Sequence, residues 1–299
     1  MPTLCAMGLT RLPSVHKPLV FLSLTFTLSG LCYFMLQQDA DELYGLGLIA
    51  SPALSALFTQ LLFERTLRGL GWTLRAPRWT VLGYVLPLLY GLVVYLTVWL
   101  TGLGDVSVAA LAAQVADPGA GSAGFLGSYA FKTATLGVLF AGITAFGEEL
   151  GWRGLLVPEL ARRLSFTSTA LVSGALWTLW HTPAIVLFEY NNAGAPLLYG
   201  LACFSVMAVS LSVVLAWLRL RSGSVWPAVV LHASHNAFIQ TLLNPLTVPN
   251  AVTPYVTGEF GLGLAVVTAL LAWLAWSDRK NLPPLRETSS APGEVGLPR

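Results

Sequence analysis

Charge is scarce in this chain. Only 10% of its 299 residues are Asp, Glu, Lys or Arg, while 55% are hydrophobic; soluble domains carry about 25% charged residues. A water-soluble core of this length cannot hide so much apolar surface, so a soluble domain is excluded and a bilayer is the fitting solvent. The net charge of +2 says little about partners, because placement of charge matters more than its sum. Cysteine is also sparse. Cys5, Cys32 and Cys203 show no metal or disulfide spacing, so no redox compartment follows from them. Cys5 precedes the first apolar stretch and is not placed like a lipoprotein cleavage cysteine. The chain has no internal repeat, no nucleotide-binding glycine loop and no nucleic-acid-binding signature, so no nucleic-acid partner is expected. No small-x-small cleavage site separates the first apolar run from Asp39-Ala40-Asp41-Glu42, which marks that run as an uncleaved span.

Long apolar runs are what the chain has instead. A spanning helix needs about 20 mostly apolar residues, because inside lipid only helices and closed barrels satisfy every backbone group. Eight segments qualify: 18–36, 44–63, 79–102, 129–157, 167–188, 196–218, 225–243 and 258–276. They are continuous rather than alternating, which argues against a barrel. The expected fold is all-α, a polytopic transmembrane helix bundle of about eight spans with both termini cytoplasmic. In that arrangement the inner side collects every Lys and Arg except Lys132, and the outer loops carry Asp39, Asp41, Glu42, Asp105, Asp117, Glu189 and Glu259. Each loop then obeys the positive-inside rule. Residues 103–128, rich in Gly, Ala and Ser, are expected as an outer loop or interfacial helix. The domain reading is a cytoplasmic segment over 1–17, one membrane domain over 18–276, and a disordered cytoplasmic tail over 277–299 that contains Pro283, Pro284, Pro292 and Pro298.

Ionisable residues inside such spans cost several kcal/mol and are functional candidates by default. Three places stand out: Glu148-Glu149-Leu150-Gly151-Trp152-Arg153, then His181 within Trp177-Thr178-Leu179-Trp180-His181, then His232-Ala233-Ser234-His235-Asn236. Three of the four histidines fall in these motifs. If the fourth span continues to about Arg162 and turns into the fifth, Glu148 and His181 reach similar depths, about 20 Å along each helix. Glu149 and Arg153, four apart, can pair on one helix face, while Glu148 projects about 100° away and is free to face a cavity. His232 and Asn236 are also four apart. His235 is expected to point to another face and to serve packing.

At these residues the sequence resembles the CAAX protease and bacteriocin-processing family, which includes the Ras-converting CAAX prenyl endopeptidase. The family pattern is two adjacent glutamates with an arginine four after the second, an aromatic residue four before a histidine, and a histidine with an asparagine four later. Here these are Glu148, Glu149 and Arg153; Trp177 and His181; His232 and Asn236. Trp177 departs mildly from the commoner Phe. The resemblance implies that the 18–276 domain is an intramembrane endopeptidase acting on a peptide or membrane-protein substrate, lipidated or not, in contact with membrane lipid. Its expected location is a bacterial cytoplasmic membrane, with the active site opening toward the cytoplasm. Catalysis would fall to Glu148 as general base, His181 and His232 as holders of the water or the tetrahedral intermediate, and Asn236 as oxyanion donor, with Glu149 and Arg153 in support. A rival arrangement makes Glu148, His181 and His232 the ligands of a zinc ion, so the cofactor is zinc or none.

Other classes are tested by what is missing. No His-Glu-x-x-His occurs, which disfavours a zincin-like membrane protease. Gly102-Leu103-Gly104-Asp105 superficially matches an aspartyl intramembrane signature, but it falls at an outer loop with no mid-membrane aspartate to partner it. A transporter would often show inverted repeats or broken helices in both halves. A non-catalytic immunity or scaffold protein on the same fold is the main alternative, and it should tolerate loss of Glu148.

Overall fold

The computed structural model describes residues 16–39, 41–74, 76–115, 123–188 and 194–284. Residues 1–15, Arg75, Asp117, Glu189 and the tail from 285 lie outside the described residues. Helices dominate: α1 His16–Gln38, α2 Glu42–Glu64, α3 Pro77–Leu100, a short α4 Val108–Gln114, the long α5 Gly124–Ala161, α6 Phe166–Phe188 and α7 Leu197–Ser222. Then come α8, which runs as Trp226–His235 and continues as a π-helix over Asn236–Leu243, and α9 Leu262–Ser277. The described sheet is a single antiparallel pair, β1 Asp105–Val106 with β2 Thr247–Val248. The chain is an all-α polytopic bundle and an integral membrane protein.

Seven of these helices are long and apolar enough to cross a membrane. The eighth expected segment, 225–243, is present as α8 but is too polar to count among them. The reason is physical: His232, His235, Asn236 and Gln240 all sit on it, and α8 is buried against α3 and α5 rather than facing lipid.

Local signals set the helix ends. Asp41 caps α2, its carboxylate accepting from the Leu43 N–H at 2.8 Å, and Ser107 caps α4. Pro77 and Pro227 stand in the first turns of α3 and α8, where no intrahelical partner is lost. Pro52, Pro87 and Pro183 lie inside helices, which membrane bundles tolerate because neighbouring groups re-satisfy the backbone.

The bundle is organised around α7. Its apolar window is 61% buried, against 17–39% for the other six spans, and α6 and α9 pack along it. Small residues let helices approach closely. A Cβ at Gly147 would meet the Ile49 carbonyl oxygen at 2.8 Å, and one at Gly151 would meet Pro52 Cβ at 2.6 Å. The two glycines therefore seat α5 directly on the α2 backbone, on either side of Glu148 and Glu149. Polar bonds add register: the Trp180 indole on α6 donates to Ser29 on α1, which bonds Ser51 on α2.

One end of the bundle gathers basic groups. Lys17, 4% exposed, bonds Glu64 at 3.1 Å and Glu159 at 2.9 Å, and Arg162 bonds Glu159 at 2.7 Å. The start of α1 and the ends of α2 and α5 therefore share one face, as an alternating topology requires.

Candidate active site

Two departures from regular α-helix begin beside the polar motifs. The helix α5 turns π-helical over Leu150–Leu156, immediately after Glu149, and α8 does so over Asn236–Leu243, beginning at Asn236. Such wide turns recur at functional sites because they redirect side chains that a regular helix would stack.

Glu148, on α5, is 8% exposed, and one carboxylate oxygen, Oε2, accepts from the Trp177 indole N–H on α6 at 2.9 Å. The same oxygen lies 3.8 Å from His181 Nε2, too far for a direct hydrogen bond. His181 Nδ1 is 2.9 Å from the Trp177 carbonyl oxygen. A carbonyl only accepts, so Nδ1 carries the proton, and in the neutral ring Nε2 presents a lone pair toward Glu148. Two acceptors thus face each other across a gap that a shared donor would bridge.

Glu149 is fully buried and organises the other side. Its Oε1 takes the Arg153 guanidinium at 2.8 Å and His232 Nδ1 at 3.0 Å. Arg153, also fully buried, donates to Ser212 Oγ on α7 at 2.6 Å and stacks 4.5 Å over the Trp177 ring. One guanidinium therefore ties α5 to α6 and α7. Glu149 Oε2 and Arg153 Nε have no hydrogen-bond partner among the described residues. A buried ion pair left partly unsatisfied is a poor source of stability, and its geometric effect is to fix the His232 ring with Nδ1 turned to Glu149.

Glu148, Trp177, His181, His232 and Asn236 line one cavity of about 40 Å³, with Phe204, Met207, Leu211, Leu215 and Leu231 as its apolar walls. One water needs about 10–15 Å³, so the cavity has room for at least two. The candidates named from the sequence are therefore brought together, with Glu149 and Arg153 directly behind them.

Two expectations fail. His235 does not point elsewhere: it lines the same cavity, because residues three apart on a helix are surface neighbours, as residues four apart are. Glu259, expected in an outer loop, is 8% exposed and lines the cavity too, with Oε1 3.1 Å from His235 Nε2. Ser212 gives no sequence signal, being one hydroxyl among many on apolar helices. For Glu259 a signal exists in its neighbours, since Gly258 and Gly261 flank it as a tight turn does.

Comparison with known proteins bears on this cavity. Residues 130–238 match the family described as type II CAAX prenyl endopeptidase Rce1-like. This chain carries an Rce1-like segment. All the motif residues quoted above, from Glu148 to Asn236, fall inside it, and Glu259 falls outside. A curated relative, CAAX prenyl protease 2 of Methanococcus maripaludis, is 31% identical over 113 residues, 36% of this chain. The match spans 41% of that relative's length. The Rce1-like segment thus coincides with α5, α6, α7 and the first part of α8, the helices that surround the cavity. Among the described residues, no group of three or more His, Cys, Asp or Glu side chains is arranged to hold a metal ion. Glu148 Oε2 and His181 Nε2 lie 3.8 Å apart, and His232 faces Glu149 through Nδ1, which leaves its Nε2 for a partner in the cavity.

Proposed function

We propose that the chain is a membrane-embedded endopeptidase of CAAX type, in which Glu148 activates a water for attack on a peptide bond. The observation that carries this reading is the acceptor pair of Glu148 Oε2 and His181 Nε2, 3.8 Å apart. A water held there donates one O–H to each and points its lone pair into the cavity. Glu148 takes the proton as the water oxygen bonds to the scissile carbonyl carbon, and returns it to the amine as the C–N bond breaks. Asn236 donates its amide N–H to the developing oxyanion, with His232 alongside on the same helix. The Trp177 indole holds the Glu148 carboxylate in place, and Glu149 does the same for His232. Closely packed apolar walls keep the charges out of bulk water, where each interaction would be weaker.

Basic residues on the Lys17 and Arg162 face favour placing that face in the cytoplasm. The relative's name suggests prenylated peptides ending in a CAAX sequence as the first substrate class to try. The test offers the purified protein prenylated and unmodified membrane peptides, with mass-spectrometric readout, for wild type, Glu148→Gln and His181→Ala, with and without chelator. Cleavage by wild type, lost in Glu148→Gln and untouched by chelator, is the expected result. Equal turnover by wild type and both variants would remove the enzyme assignment.

A further inference from the structure

Glu259 is a second carboxylate in the cavity, delivered by a purpose-shaped turn. Gly258 adopts φ +68°, which side chains rarely tolerate, and its N–H donates to the Tyr95 hydroxyl at 3.1 Å. Tyr95 in turn bonds Asn244 just beyond α8. This anchoring leaves Glu259 buried and facing inward. Its Oε1 is met by His235 Nε2 at 3.1 Å and by the Gln240 amide N–H at 3.2 Å. His235 Nδ1 is bonded to the Tyr90 hydroxyl on α3. Helices α3 and α8 and one turn thus converge to hold one acid, and the proposed chemistry at Glu148 does not use it. An ionisable group kept inside a membrane bundle at such investment marks a functional position.

We propose that Glu259 is a specificity-determining residue, which makes the cavity wall around His235 and Asn236 a subsite that accepts basic or amide-bearing substrate side chains and rejects acidic ones. The inference rests on the hydrolase reading for its rate consequences but not for its binding consequences. Glu148 and Glu259 line the cavity together, its described lining holds no Lys or Arg, and Arg153 is fully buried behind Glu149. An acidic side chain entering this space meets like charge in a poorly solvated setting, where repulsion is least screened. A lysine or glutamine side chain can instead donate to the wall.

The experiment uses peptides matched in length and apolarity, carrying Lys, Gln or Glu at single positions scanned along the sequence. Binding is measured by fluorescence anisotropy, and kcat/KM by product release, for wild type, Glu259→Gln and Glu259→Asp. At one position, wild type should favour Lys over Glu by tenfold or more. Glu259→Gln should bring that ratio toward one, and Glu259→Asp should retain it. Should Glu259→Gln fail to fold, Gln240→Lys places an ammonium beside Glu259 and should collapse the same ratio. A ratio unchanged in these variants, or no charge preference at any position, overturns the proposal. If no peptide is cleaved, the hydrolase reading fails, while the anisotropy ratios still decide this one.

Discussion

Removing the Arg153 guanidinium should do more damage than removing both members of its ion pair. In Arg153→Met the Glu149 carboxylate stays fully buried, loses its 2.8 Å partner, and keeps only His232. Breaking a buried pair from one side costs about 3–5 kcal/mol, because the remaining charge is stranded in low dielectric. Adding Glu149→Gln removes the stranded charge, so the double variant should regain most of that stability. It should not regain full activity. The substituted amide still offers His232 an acceptor, but a neutral one. The difference between a charge-assisted and a neutral hydrogen bond is about 1.4 kcal/mol, a factor of about ten in rate. Stability is read by denaturant unfolding of the detergent-solubilised protein, activity by peptide cleavage at saturating substrate. Equal destabilisation of single and double variants would refute the stranded-charge argument. A double variant as fast as wild type would refute the role of Glu149 in holding His232.

Other outcomes follow from the same geometry. Trp177→Phe keeps an aromatic but deletes the N–H that reaches Glu148 at 2.9 Å; loss of a hydrogen bond to a charged group, about 1.5–3 kcal/mol, should appear in kcat with KM little changed. Asn236→Ala should lower kcat by about 10²–10³, as removal of an oxyanion donor does, with the unfolding midpoint held near wild type. Gly151→Ala puts a methyl 2.6 Å from Pro52 Cβ, so α2 and α5 must separate. Overpacking of this kind costs about 1–3 kcal/mol, measurable as a lowered unfolding midpoint, and activity should fall with it because Glu148 rides on the displaced helix.

The bundle was legible in the sequence because lipid imposes a simple rule: apolar runs of spanning length must be helices. The helices α1 to α3, α6 and α7 lie within a few residues of the expected segments. Glu148, His181, His232 and Asn236 were legible for the converse reason, since polar groups in such runs need a purpose. What stayed hidden was pairing across helices. Ser212 is called into use only by the packing of α5 against α7. The indole of Trp177 reads in sequence as an aromatic motif position, and only the fold turns its N–H toward Glu148. Glu259 is misread because hydropathy places a turn residue before α9 outside the membrane, whereas the turn folds back into the bundle. Spacing misleads at His235, where three residues and four residues mark one helix face rather than two.

The polarity of α8 has a consequence for biogenesis. A segment carrying two histidines, an asparagine and a glutamine partitions poorly into hydrocarbon on its own, and it leaves the ribosome before α9 has been made. It must therefore shelter against α3 and α5, already inserted, as soon as it emerges. The polar residues that this helix brings to the cavity also make its entry into the membrane depend on the neighbours that precede it.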